Sequence, residues 1–362
     1  MNIPLVQARS LFTQNLVAVY EDAMRATEFY QSFFANNLGN RKFVSIAVRR
    51  NDEAIAVDVF RGASEGNRNT FSLSSEKIWE PPFYDEFFDL TELDFYDVMW
   101  GDGAGGDVSE ATFAEMINEV RDHLLNLEQK IRRSYELQAC QTLFDGIVQL
   151  KSAENIDFRR KAGSLVAYNV AHDFAVGTVD PTVILEQGCN FIRQEGKSGA
   201  GQYNVIMAGD VYRAMINNDT FKENADVRRI RQTELDMPQR NAEGAVFHGV
   251  ISTGSYELFV WTYPQFYTDP DTEISTPYTP DKKLTIIPLA PRFVQGFAGV
   301  PHIMRDETQA EFNEFIQMRR GAFHIDNYID QKGYSHLYRV RSAGITIPVA
   351  VDTIFTVQVL AP

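Results

Sequence analysis

One stretch of this sequence constrains the fold more than any other. Phe113, Ile117, Val120, Leu124, Leu127 and Ile131 recur at intervals of 4, 3, 4, 3 and 4 residues, which puts them on one stripe of a helix. The stripe continues through Tyr135, Ala139, Leu143 and Ile147, with Gly146 near its end. Asp107 and Glu110 stand at capping-box spacing, directly after the helix-averse segment Gly101–Gly106. The pattern predicts roughly 40 helical residues, a rod of about 60 Å. That outruns the usual globular helix severalfold. Its polar face is mixed and the chain leads on into strands, so the rod reads as one that spans a domain.

Around it the pattern is mixed. Residues 1–42 read as an arm with a helical stretch from Leu16 to Phe34, stopped by Asn36-Asn37-Leu38-Gly39-Asn40. Phe43–Val48 and Ala54–Phe60 are β-rich runs joined at Asn51-Asp52, followed by a loop tip at 61–69 and a return through Phe71-Ser72-Leu73 to Ile78-Trp79. After the rod, Asp157–Phe174 reads as extended, Asp180-Pro181 opens a helix to Gly196, and Tyr203–Ala208 is a short strand. Asp210 is the expected N-cap of a helix to about Asn218. Strands are expected at Phe247–Ser252, Glu257–Tyr263 and Leu284–Leu289, with a loop over Pro264–Pro280. Ile345, Ile347, Val349, Val351, Phe355, Val357 and Val359 all fall on odd positions, a half-buried strand or strand pair bent at Asp352-Thr353. The fold class is α+β, without internal repeats.

Charge narrows the function. With 34 basic and 49 acidic side chains the net charge is −15, which argues against a reader of nucleic-acid sequence but not against a protein that encloses nucleic acid. No apolar run is long enough to span a bilayer and the first 20 residues lack a signal-peptide pattern, so a soluble protein is expected. Cys140 and Cys189 read as core thiols. The charge is unevenly spread. Residues 41–77 hold seven bases and five acids, whereas 78–107 hold nine acids and no base. A solvated acidic face is the simpler reading. The other is complementary contact between neighbouring copies, with Arg49, Arg50, Arg61, Arg68 and Lys77 meeting Asp85, Glu86, Asp89, Asp94 and Asp97.

Catalytic patterns fail one by one. Gly196-Lys197-Ser198 lacks the glycine a phosphate loop needs five positions earlier, where Phe191 stands. Gly101–Gly106 fits GxGxxG formally, but Asp102 and Asp107 would repel a pyrophosphate and no βαβ unit surrounds it. Asp269, Asp271 and Glu273 open like a calcium loop, then place Ile274 where the turn glycine belongs. His123, His172, His248, His302, His324 and His336 show no metal spacing. No catalytic, cofactor-binding or metal-binding residue is nominated.

The element order is arm, projecting hairpin, acidic return, long helix, α/β part and closing strands. It resembles the major capsid proteins of tailed bacteriophages with the Hong Kong 97-type fold, and among them the lambda-type capsid protein E family. Leu127-Glu128-Gln129-Lys130-Ile131-Arg132-Arg133-Ser134-Tyr135-Glu136, with Ala139, Leu143 and Gly146, looks like the end of that family's spine helix. Glu186–Asp219, with Gly196-Lys197 and Met207-Ala208-Gly209-Asp210, is similar to the start of its axial domain. Phe355–Ala361 resembles its closing strand.

The resemblance implies an N-terminal arm (1–42), an extended loop with its acidic return (43–106), a peripheral domain on the spine helix (107–178), an axial domain (179–300) and a return to the peripheral domain with closing strands (301–362). It also implies a coat protein that forms hexamers and pentamers of itself and closes an icosahedral shell around double-stranded DNA. The partners implied are a separate scaffolding protein, a portal and, on some relatives, a decoration protein, with no membrane and no cofactor. The place implied is the virion, assembled in the bacterial host cytoplasm. Some relatives cross-link a loop lysine to a neighbour's asparagine, for which Lys77 with Asn313 or Asn327 are the candidates. Two alternatives stay open: a same-fold bacterial nanocompartment shell, and an unrelated enzyme whose site forms only in three dimensions.

Overall fold

A computed structural model describes residues 28–39, 41–48, 75–91, 110–151, 154–227, 233–234, 239–240, 244–303, 316–319, 321–330 and 335–362. Its organising element is helix α1, Glu110–Phe144, 35 residues or about 52 Å long. From Val120 on, the predicted stripe is its buried face: Val120, Leu124, Ile131, Tyr135, Ala139 and Leu143 are each at most 1% exposed and Leu127 is half-buried. Asp107 lies outside the described residues, as do the side chains of Phe113 and Ile117. Ile147, expected to close the stripe, lies beyond the helix and is 37% exposed. Helices α2 (Pro181–Glu195), α3 (Gly209–Asn217) and α4 (Asp219–Val227) follow α1. Asp180 caps α2 through Thr182 N, as its sequence position suggests. Asp210 does not cap α3. Ala208 holds that position, while the Asp210 carboxylate accepts Val211 N and Lys282 N.

The strands, in chain order, begin with β1 Phe34–Leu38, β2 Val44–Val48, β3 Ser75–Trp79, β4 Phe83–Thr91, β5 Ile147–Val148, β6 Ile156–Asp157 and β7 Leu165–Val166. Next come β8 Gln202–Met207, β9 Thr233–Glu234, β10 Gln239–Arg240, β11 Val246–Ser252, β12 Glu257–Thr262, β13 Phe266–Thr268, β14 Ser275–Pro277 and β15 Lys283–Pro288. The chain continues with β16 Phe293–Phe297, β17 Val300–Ile303, β18 Ile316–Arg319, β19 His324–Asp330, β20 Ser335–Pro348 and β21 Phe355–Gln358. Two sheets dominate. A five-stranded sheet runs β1-β16-β20-β19, with β4 also paired to β20. An eight-stranded sheet runs β10-β11-β12-β8-β15-β21-β7, with β9 on β11.

Helix α1 serves both. Val120, Leu124, Ile131 and Tyr135 pack with Tyr338 and Val340 of β20, and Tyr84, Phe88 and Leu90 of β4 close that cluster. One half-turn set further on, Ala139, Cys140, Leu143 and Phe144 pack with Ile206, Ile287 and Tyr263 of the other sheet. Helix α2 covers the far face of the eight-stranded sheet through Ile184, Leu185, Cys189 and Ile192. Both cysteines are buried free thiols.

Three expectations change. The predicted helix Leu16–Phe34 gives way, over its described part, to a 3-10 turn at Gln31–Phe33 and then β1, because parallel pairing with β16 and burial of Phe34 against Phe293 outweigh local propensity. The predicted loop Pro264–Pro280 contains the β13–β14 hairpin. The acidic return holds a nine-residue strand, β4. The run Phe43–Val48 does form a hairpin strand, paired with β3, while Ala54–Phe60 lies outside the described residues. The closing segment breaks as expected, with a 3-10 turn at Val351–Thr353 between β20 and β21.

Close approach of β20 to α1 depends on Gly344. A Cβ there would sit 2.8 Å from Phe297 Cε1 and 2.8 Å from Tyr135 Cζ, both buried rings. We expect Gly344→Ala to cost about 1–3 kcal/mol by overpacking, read as a lower urea midpoint. An unchanged midpoint would refute this contact.

Candidate functional site

Strand β4 carries the first half of the acidic ledge. Its alternation turns Phe83, Asp85, Phe87 and Asp89 outward and lets Tyr84, Phe88 and Leu90 pack toward α1. Phe83 is 50% and Phe87 61% exposed, so acids and aromatics alternate along one open face. Part of the acidic charge is engaged within the chain. Glu86 pairs with Lys130 of α1 at 2.6 Å, and Asp85 lies 3.7 Å from Arg339 of β20. Arg339 and Arg341 in turn flank the buried Asp326, with Arg341 also donating to Pro301 O at 2.9 Å. Asp89 stands exposed opposite Leu337. Lys77 occupies β3 opposite Ile46. Arg49, Arg50, Arg61, Arg68, Asp94 and Asp97 lie outside the described residues. The outward phenylalanines escaped the sequence reading because the doublets Phe83-Tyr84 and Phe87-Phe88 mask a period of two.

The remaining motifs have structural uses. Gly196 ends α2 through its N–H to Ile192 O, and Lys197 takes a left-handed φ of 51°, so the GKS run is a helix exit. Lys151 places its ammonium 2.6 Å from Asp269 and 2.5 Å from Asp271, two of the three acids of the calcium-like loop. The side chain of His123 lies beside Phe88 on β4, and that of His248 stacks on Tyr212 at 3.8 Å. No group of three metal-ligating side chains occurs among the described residues. A cleft of about 350 Å³ opens where α1 meets the eight-stranded sheet, lined by Phe144, Asp145, Ile147, Leu165, Lys283 and Gln358 among others. Its charged pair, Lys283 with Asp145 at 2.8 Å, neutralises itself.

Two charged groups sit on α1 or at its end in largely dry surroundings. Glu136 is fully buried, and burial pushes its carboxyl up to about 8 even though Tyr30 N and Gln31 N donate to it at 2.7 and 3.1 Å. Arg160 closes the helix C-terminus. It donates to Leu143 O, Phe144 O, Ser164 O and Ile354 O at 2.9–3.3 Å, and burial pulls its guanidinium down to about 10. A cation here answers the partial negative charge of the helix end. Gly146, at φ 72°, makes room for it, since a Cβ would lie 2.3 Å from Arg160 Cδ. Arg160→Met should cost about 3 kcal/mol by taking the guanidinium donors from those carbonyls, of which Leu143 O keeps the hydroxyls of Thr285 and Thr356, measured by urea unfolding. A loss under about 1 kcal/mol would mean that water replaces the guanidinium.

Comparison with known proteins places this arrangement. No curated protein matches the chain in sequence. Residues 80–327 match the profile of a family described as phage major capsid protein E. A crystal structure from a prophage of E. coli CFT073, assigned there as a capsid protein, aligns over 96% of this chain and 99% of its own at 15% identity and TM-score 0.61. The mature capsid of bacteriophage PhiM1 aligns over 93% and 88% at 9% identity and TM-score 0.47. The fold is that of Hong Kong 97-type capsid proteins. Among the described residues no helix is long and apolar enough to cross a membrane. With the profile spanning more than half its length, the chain belongs to the phage major capsid protein E family and is a structural coat protein of phage virions.

Proposed function

We propose that copies of this chain associate as hexamers and pentamers and close into an icosahedral shell around double-stranded DNA. The family match over residues 80–327 carries this reading. The net charge of −15 suits a container that must not grip its contents. The chain itself performs no catalysis in this scheme. Assembly takes place in the host cytoplasm on a separate scaffolding protein and around a portal. The arm, extended loop, peripheral and axial domains follow the boundaries given above.

The contacts between copies pair the basic positions Arg49, Arg50, Arg61, Arg68 and Lys77 with the acidic ledge. On that ledge the open face of β4 is the part best suited to a neighbour. Its Phe83 and Phe87 supply apolar area and Asp89 a free charge at the rim. Asp85 and Glu86 already have partners in the same chain and set the strand's position. The Lys77 cross-link is not part of this proposal.

Negative-stain electron microscopy with light scattering on the full chain, expressed with and without its neighbouring reading frames, tests it. Shells, tubes or free capsomers are expected, and a monomer in every condition would overturn it. Arg61→Glu with Arg68→Glu should leave a folded chain with shell yield reduced at least about tenfold, the scale of one or two lost charge contacts repeated at each interface. Unchanged yield would remove those two positions from the interface.

A further inference from the structure

The arm meets α1 at Glu136, and this junction has an unusual composition. Both carboxylate oxygens receive backbone N–H groups of the arm, from Tyr30 and Gln31. The Gln31 side chain donates back to Arg132 O at 2.8 Å, and Tyr30 Oη meets Thr279 Oγ1 at 2.7 Å. Phe29 stacks on Tyr263 at 5.3 Å, Tyr30 meets the same ring edge-on at 5.2 Å, and Trp261 lies 5.7 Å from Phe29. Arm, helix and eight-stranded sheet therefore share one buried knot around one carboxyl group.

That carboxyl has no cation. Among the described residues, no ion pair involves Glu136. Arg132 reaches back to Glu128 at 2.5 Å and lies over the Phe323 ring, as helix side chains lean toward the N-terminus. Arg133 is exposed and donates to Gln129 O. The other titratable groups around Glu136 are the acid Glu28 and Tyr30 on the arm, Cys140 on α1, and Tyr263 and Tyr278 on the sheet side. None of these neighbours brings a positive charge at neutral pH. Ionised Glu136 would be a dry, unpaired charge when the arm is docked and a hydrated one when it is not.

We infer that Glu136 is a proton-linked latch: docking of residues 28–34 onto α1 takes up a proton at this carboxyl, so the arm is held more tightly as pH falls. The sign follows from linkage. A carboxyl whose docked value lies above its free value contributes stability that is fully present below the ordinary carboxylate range. That contribution is lost as pH rises toward the docked value, about 8. One proton limits the slope to about tenfold in the docking equilibrium per pH unit. This latch belongs to the single chain and operates with or without the shell proposed above.

Hydrogen exchange by mass spectrometry on the full chain between pH 5 and 9, read at the peptide covering Phe29–Phe34 and corrected for intrinsic exchange, is the test. We expect wild-type protection to fall by up to about tenfold per pH unit and level off near pH 8. Glu136→Gln, a fixed neutral stand-in, should hold protection flat with pH. Glu28→Gln should fold normally and bring the levelling-off to a lower pH, which keeps the test decisive if Glu136→Gln does not fold. Flat wild-type protection overturns the latch, as does a Glu136→Gln chain that retains the wild-type slope.

Discussion

Everything else in this molecule is arranged around the burial of one long helix against two different sheets. A helix of 35 residues presents more apolar stripe than a single sheet can cover. The first part of the stripe is therefore taken by β4 and β20 and the last part by β8, β12 and β15. Because α1 is rigid, it fixes the distance between the sheets. Its C-terminus must then be satisfied inside the protein, and it is: Leu143 O accepts from Arg160, Thr285 and Thr356, three segments distant from one another in sequence.

The charge pattern has a related logic. The surface is strongly acidic, yet β4 and β20 use acids and arginines to hold strands together, through Asp85, Asp326, Arg339 and Arg341. Charges paired in this way fix the register of strands where the apolar alternation alone is weak. Along β4, Phe83, Phe87 and Asp89 stay exposed and take no part in that pairing.

The sequence was most legible where periodicity was local. The α1 stripe, the Asp180 cap, the odd-numbered row from Ile345 and strands β8, β11, β12 and β15 each announce themselves within a dozen residues, whereas the two-residue strands β9 and β10 do not. Features set by partners far along the chain were not legible. Tyr338-Arg339-Val340-Arg341 does alternate, but its polar members are held by Asp326, a pairing no local window reveals. Phe34–Leu38 shows no period-two alternation, with Asn36-Asn37 at its centre, and becomes a strand because β16 offers a parallel edge. The buried carboxyl of Glu136 sits within a quoted family segment, and nothing in its spacing separates it from the exposed acids of the same helix. Only the arm folding over it does that.

Strand β21 lies between β15, about 70 residues earlier, and β7, about 190 residues earlier. Until residues 355–358 have been synthesised, β7 has no strand to pair with and the β15 edge of the eight-stranded sheet stays open. Such long-range closure slows folding relative to a chain of local contacts. It also orders the steps of folding: a nascent chain still missing β21 exposes two unfilled strand edges, at β15 and β7.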